Sequence, residues 1–230
     1  MSESPTQRVD FIGFDEAARQ VLRKRSDLYN LLSRLYEREV DTPLLEYILS
    51  SSRNAADGHM LSPDFVTQTD SQGAAQATRD LAAEFTVLFI GGRRSRRVFP
   101  YESVYTSAEH LMMQESRDEV AAVYRAAQLS LPENFREPED HLALELAYMA
   151  HLNMQASQAV QAESARQAIS LQQSFYRKHL MVWAPEFCAD LKKATRSAFY
   201  AWLAEFTGDF LAAEDETLQQ LYRQFSPDNL

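Results

Sequence analysis

The sequence predicts an all-α protein: a single globular helical domain of about eight to ten helices, with no sheet. Three observations predict this. Apolar residues recur at spacings of three and four, and no alternation of period two persists anywhere. Glycine is scarce, 6 in 230 residues, and there are 8 prolines, whereas a sheet-rich fold of this length needs many Gly, Pro and Asn turns. No glycine falls between Gly92 and Gly208, and residues 139–183 contain neither Gly nor Pro.

Residues 1–14 read as a flexible tail and residues 15–226 as the helical domain. Asp15 offers an N-cap to a long first helix. Ala18, Val21, Leu22, Leu28, Tyr29, Leu32, Leu35 and Tyr36 form its apolar stripe, interrupted at Arg25. Thr42-Pro43 reads as an N-cap with proline at the first helical position, leading into Leu44, Leu45, Tyr47, Ile48 and Leu49. Residues 50–73 collect Ser, Asn, Asp, Gly and Pro without a period. They read as mainly a loop, with a short turn near Phe65-Val66.

A helix over residues 74–89 follows, with Leu81, Phe85, Leu88 and Phe89 on one side, stopped by Gly91-Gly92. Ser116-Arg117-Asp118-Glu119 has capping-box spacing ahead of Val120, Val123, Tyr124 and Ala127. Pro132 and Pro138 bracket a connector. The long stretch 139–183 suits two helices that break near 155–163. Pro185 is expected to start another helix, and Phe206-Thr207-Gly208-Asp209 to separate it from the last.

Composition excludes several classes. Hydrophobic residues at 45% and charged residues at 24% are ordinary globular values, which a mainly disordered chain does not have. The apolar runs are only a few residues long, against about 20 for a membrane span. With 33 acidic against 23 basic residues the net charge is -10, so nucleic acid and anionic membranes should be repelled and basic partners attracted. No signal peptide is expected at the N-terminus. The lone Cys188 fits a reducing cytoplasm, where it reads as a small buried hydrophobe rather than a nucleophile.

Catalytic motifs are missing. The chain has no phosphate-loop pattern, no Gly-x-Gly-x-x-Gly, no Gly-x-Ser-x-Gly and no His-Glu-x-x-His. None of the histidines at 59, 110, 141, 151 and 179 has Glu three residues before it, so the helical di-iron pattern fails as well. Two constellations stand out. Glu137-Pro138-Glu139-Asp140-His141 reads first as a helix start, with Pro138 at the first position and acids at the positive end of the dipole. His141 is the member this leaves unexplained. Pro100-Tyr101-Glu102-Ser103-Val104-Tyr105 sets two tyrosines four apart around a carboxylate, suited either to core packing or to a groove for an apolar peptide.

On these stretches the chain resembles the TorD/DmsD family of redox-enzyme maturation chaperones. Arg25-x-x-x-Tyr29 with Leu32-Ser33-x-Leu35-Tyr36, and Glu84-Phe85-x-x-Leu88-Phe89-x-Gly91, carry the N-terminal part of the likeness. The two constellations above follow in the family's order. Phe175-x-x-x-His179-Leu180-x-x-Trp183-x-Pro185-x-Phe187, and Phe199-Tyr200 through Phe210-Leu211, complete it.

The resemblance implies an all-α, cytoplasmic, non-enzymatic chaperone. Such a chaperone binds the twin-arginine leader and apo form of a molybdopterin-dependent oxidoreductase, assists cofactor insertion and holds back export until folding is complete. Its partners would be the catalytic subunit with its leader, and the export machinery. No nucleic acid and no membrane insertion are expected. It implies a leader-binding groove at Leu88, Phe89, Pro100, Tyr101, Tyr105, Pro138, Asp140 and His141. Leader binders of the family often carry tryptophans in the loop before the Glu-Ser-Val-Tyr block, and this chain has none there. The alternative reading is a nucleotide-binding switch or enzyme built on the same helical fold.

Arg93, Arg94, Arg96 and Arg97 place four cations in five positions of a strongly acidic chain. Three readings stand: a solvated loop, a transient phosphate contact to molybdopterin guanine dinucleotide or GTP with no tightly bound cofactor, and a pseudo-leader folded onto the chain's own groove. No metal site is expected. The connector, with a swap hinge near 130–138, implies mainly monomer with a domain-swapped dimer as a minor form.

Overall fold

The computed structural model describes residues 16–54, 61–91, 96–131 and 135–225. The expectations that rest on residues 1–15, on Gly92, Arg93, Arg94 and Ser95, and on Pro132 lie outside these.

The described residues fold into α1 (Glu16–Glu37), α2 (Thr42–Asn54), α3 (Pro63–Gln72), α4 (Ala74–Phe85), α5 (Glu102–Thr106), α6 (Glu115–Ala126), α7 (Leu142–Gln158), α8 (Ala162–Phe175), α9 (Met181–Ala194), α10 (Ala198–Ala212) and α11 (Glu214–Gln224). A π-helical turn, Thr86–Gly91, extends α4, and a second, Tyr176–Leu180, joins α8 to α9 as one rod. No strand occurs among the described residues; Tyr101 and His141 form an isolated antiparallel bridge. The all-α prediction holds.

The central element is α7. It is buried on nearly every side, as Leu142, Ala143, Leu146, Met149, Leu152 and Ala156 show, and an all-round apolar helix belongs at the middle of a bundle. Its most extensive neighbour is α1. The Ser26 and Ser33 hydroxyls donate to the carbonyls of Ala150 (2.9 Å) and Ala143 (2.7 Å). Arg19 closes the C-terminal end of α7 by donating to the carbonyls of Ser157 and Ala159. Arg25 interrupts the apolar stripe of α1 because it pairs with the fully buried Glu214 at the start of α11 and lies 5.4 Å from the Phe210 ring centroid.

The core is rich in aromatic rings: Tyr29, Tyr36, Trp183, Phe187, Phe199 and Tyr200 are all fully buried. Each such side chain stabilises the fold by roughly 1.5–3 kcal/mol.

Several predicted boundaries move. Asp41, not Thr42, caps α2: its side chain accepts from the Leu44 amide at 2.9 Å, and Thr42 is already helical. Residues 63–72 are helix rather than loop, capped by Ser62 with Pro63 at the first position. Only Phe65 and Thr69 of α3 are buried, too few to leave a period. The capping box at Ser116 does not form, because α6 begins one residue earlier behind Gln114. The break between α7 and α8 falls at 159–161, inside the expected window.

Pro185 lies within α9 rather than at its start. It sits on the exposed face, where the carbonyl four residues back can bond to water, while Trp183, Ala184, Phe187 and Cys188 hold the buried face. Gly208 does not end a helix either. It lies within α10, where a β-carbon would meet the Cys188 Cβ at an ordinary contact distance of 3.9 Å. Burial pushes the Cys188 thiol up to about 12, which keeps it an unreactive hydrophobe.

Candidate functional site

The two sequence constellations meet in space. The segment 100–103 and the turn 137–141 are tied by the Leu142 amide donating to the Pro100 carbonyl (2.9 Å) and the Glu102 amide donating to the Asp140 carbonyl (3.0 Å). The helix α5 has only Tyr101 at its N-cap, which supplies no side-chain bond. Asp140 does this work from the other segment: its Oδ2 accepts from the Ser103 amide at 2.9 Å. Asp140 is fully buried, and its Oδ1 has no partner. Burial raises its carboxyl, against the lowering effect of Ser103.

His141 is the N-cap of α7. Its Nδ1 accepts from the Ala143 amide at 3.1 Å, which assigns the proton to Nε2. Burial pushes the imidazole down to about 3, so the ring stays neutral, as the cap requires. Pro138 is therefore not the first residue of the helix; it belongs to the preceding turn. The Tyr101 and His141 rings meet edge to face at 5.1 Å, and Phe135 meets His141 at 5.8 Å. The Tyr101 hydroxyl donates to Glu137 Oε2 at 2.5 Å, and Glu137 itself is exposed. Burial first, and Glu137 second, push the Tyr101 phenol well above its ordinary range.

The eight expected site residues thus divide. Pro100, Tyr101, Pro138, Asp140 and His141 form one junction. Tyr105, one turn along α5, lies against Trp183 with centroids 5.6 Å apart and remains partly exposed. Leu88 is fully buried, and its carbonyl accepts from the Val98 amide at 2.8 Å. Phe89 packs on Phe85 (4.8 Å) and Tyr200 (6.2 Å), with Ile90 exposed beside it.

Two clefts flank the junction. One, of about 350 Å³, opens between α6 and α7 and is mainly apolar, lined by Leu129, Leu131, Leu144, Tyr148 and Glu139 among others. The other, of about 520 Å³, lies beside α5 and is acidic, lined by Glu102, Glu109, Glu115 and Glu119 with Lys178.

The arginine loop is partly engaged. Arg96 donates to Glu84 at 2.5 Å and to the Ala194 carbonyl at 3.0 Å. Glu84 also accepts from the Thr195 hydroxyl (2.9 Å) and the Arg196 amide (2.7 Å). Burial alone would raise this carboxyl, but the three donors hold it below its usual range. The Arg97 guanidinium stands 4.7 Å from the Phe99 ring centroid. Among the described residues no cluster of three or more His, Cys, Asp or Glu stands ready to hold a metal.

Sequence reasoning missed the polar layer beneath the junction. Glu102 is 3% exposed and accepts from His179 Nδ1 at 3.0 Å; Glu145 is fully buried and accepts from Trp183 Nε1 at 3.1 Å. The available signal was Glu145 itself, a lone acid inside the apolar run Leu142-Ala143-Leu144-Glu145-Leu146-Ala147.

Comparison with known proteins bears on all of this. The sequence model of the nitrate reductase delta subunit family matches residues 31–189. Chaperone protein TorD of Shewanella piezotolerans is 30% identical over 207 residues, covering 84% of this chain and 91% of that protein. Chaperone protein TorD of Vibrio cholerae serotype O1 is 27% identical over 210 residues, covering 87% and 94%. That of Shewanella pealeana is 28% identical, covering 85% and 90%. With the family matched across most of the helical domain and chaperones aligned along nearly all of it, the chain belongs to the nitrate reductase delta subunit family, as a TorD-type chaperone and not an enzyme.

Proposed function

We propose that this chaperone serves one molybdopterin-dependent oxidoreductase in the cytoplasm. It binds the client's twin-arginine leader and apo form, assists cofactor insertion and holds export back until folding is complete. The observation that carries the reading is the Tyr101–His141 junction. Two segments far apart in sequence are locked into one feature that leaves Tyr105 and Pro138 partly exposed above the buried Tyr101 ring.

A leader of this kind joins two arginines to an apolar run. The acidic cleft beside α5 suits the arginines and the apolar cleft between α6 and α7 suits the run. The net charge of -10 draws such a peptide in at a rate that falls with salt. Asp140 and His141 act from beneath, by holding the junction together. Transient contact with molybdopterin guanine dinucleotide or GTP falls to Arg97 together with Arg93 and Arg94, which lie outside the described residues, since Arg96 is held by Glu84. The chain works mainly as a monomer, with a domain-swapped dimer as a minor form.

Titration calorimetry with a synthetic leader peptide at low ionic strength tests the reading. Tyr101→Ala and Tyr105→Ala should each weaken binding by about tenfold, the loss expected for a central aromatic contact. Exchange of the peptide's arginine pair for glutamines should weaken it as well. Wild-type protein that leaves the peptide unbound, or variants that bind it unchanged, would overturn the reading.

A further inference from the structure

Beneath the junction, α5, α6, α7 and the second π-helical turn enclose more acid than base. Glu102, Asp140 and Glu145 are each at most 3% exposed, and the one basic side chain bonded within this layer is His179, 1% exposed. Asp140 accepts from the Ser103 amide on Oδ2, with its Oδ1 unpartnered, and Glu102 accepts from His179. Glu145 has one donor, the Trp183 indole, on Oε2; its Oε1 is buried without one. An ionised carboxylate there would leave a charged oxygen without a donor, beside a second buried carboxyl, that of Glu102. A proton on Oε1 removes both costs, because it turns that oxygen into a donor toward Glu102.

We infer that Glu145 carries a proton in the native protein and donates it to Glu102, so that Glu145, Glu102 and His179 form a buried one-proton latch that positions α5. The helix thus held carries Tyr101 at one end and Tyr105 near the other. Glu102, Glu145 and His179 are positioning residues for the client face, and this functional consequence rests on the reading proposed above. Burial, then the charge of Glu102, raises the Glu145 carboxyl well above its ordinary value, in the direction the latch requires.

The titratable groups facing Glu145 are Glu102 of α5, Asp140 of the preceding turn and Tyr124 of α6; Tyr148 of α7 lies beyond Tyr124, and His179 of the π-helical turn joins the layer through Glu102. From α9 it meets the Trp183 indole. The polar groups that α1 bonds to α7 along this stretch are the Ser26 and Ser33 hydroxyls, which do not titrate. The Lys178–Glu119 pair, at 3.2 Å, is more exposed, on the wall of the acidic cleft.

The sign of the pH effect follows. A carboxyl whose native value lies above its unfolded value contributes stability that is full below the unfolded value and is lost as pH rises toward the native one. Folding should therefore take up a proton at neutral pH. Glu145→Gln mimics the protonated acid, with an oxygen for Trp183 and an amide donor for Glu102.

Infrared difference spectroscopy on the intact chain reads the proton directly. Wild-type protein at neutral pH should show a protonated-carboxyl band that vanishes in Glu145→Gln, and that variant should lose less stability than wild type as pH rises from the ordinary 4.5 of a glutamate through neutrality. In a Trp202→Phe background, His179→Ala should shift Trp183 emission and weaken leader binding about tenfold, and His179→Gln, which restores a donor to Glu102, should recover most of it. Absence of the band overturns the latch whatever the peptide does. Emission or affinity unmoved by His179→Ala overturns its positioning role. A latch band in a protein that binds no leader leaves the proton in place and removes the client reading instead.

Discussion

Two acid-centred clusters hold the loops of this chaperone, and they solve burial in opposite ways. Glu84 gathers three donors, from Arg96, Thr195 and Arg196, and its carboxyl is held low. The layer under the Tyr101–His141 junction crowds three acids around one imidazole, and its Asp140 and Glu145 carboxyls are pushed up. The first is a clamp complete in itself. The second is satisfied only through a shared proton and a neutral His141, so its stability depends on pH where that of the clamp hardly does near neutrality. A cluster poised in this way can answer a partner, whereas the clamp can only hold.

The largest effect that sharpens this contrast lies at His141. Its imidazole is pushed down to about 3 by burial, below the ordinary 6.5. A group depressed in this way contributes stability that is full above the unfolded value and is lost as pH falls toward the native one. Acidification from about pH 6.5 should therefore cost roughly 1.4 kcal/mol per unit through this residue, to a total of several kcal/mol. His141→Asn keeps an acceptor for the Ala143 amide and cannot titrate. Urea unfolding of both proteins at neutral pH and near pH 4.5 should show the wild type losing more; equal losses would show that the ring is not held neutral.

How much of this was legible in the sequence depends on the range of the interaction. The central pair α1 and α7 was readable from local signals of two kinds, a long apolar period in α1 and a stretch without Gly or Pro around α7. The short α3 was not, with only Phe65 and Thr69 to mark its buried side. Pro185 and Gly208 misled for one reason: each is a local break signal overridden by burial of the helix that carries it. The Glu-Pro-Glu-Asp-His block was conspicuous as a site, yet its acids do not all face a ligand. Asp140 finds the Ser103 amide 37 residues away, and Glu145 finds Trp183 38 residues away. No local pattern encodes a partner at that distance.

The clamp should show an intermediate effect. Glu84→Ala removes the acceptor for Arg96, Thr195 and Arg196 together and frees the loop before Pro100. The carboxylate is partly solvated, so the loss should be about 1–2 kcal/mol, at the lower end for charged hydrogen bonds. A shift of the urea midpoint at constant slope measures it. Because the clamp lies outside the acid layer, the difference between Glu84→Ala and wild type should be the same at pH 6 and at pH 8, within about 0.5 kcal/mol. A difference that changes with pH across that interval would show the two clusters to be coupled.

The smallest effect separates the readings of the arginine loop. Arg97 holds its guanidinium over Phe99, an exposed-edge contact that is worth about 0.5–1 kcal/mol, so Arg97→Ala should scarcely move the melting temperature. Its value lies in what else changes. A phosphate contact predicts weaker binding of GTP or molybdopterin guanine dinucleotide, with the leader affinity intact, because one fork of donors to phosphate oxygens is gone. A pseudo-leader predicts the reverse: removing a cation that competes for the acidic groove raises leader affinity by the fraction of molecules that were closed. Arg96→Ala is the necessary companion, since Arg96 belongs to the Glu84 clamp and its loss should lower stability whichever reading holds. If Arg97→Ala leaves both affinities unchanged, the loop carries its charge for the clamp and for solvent alone, and the contrast between a holding cluster and a responsive one stands without it.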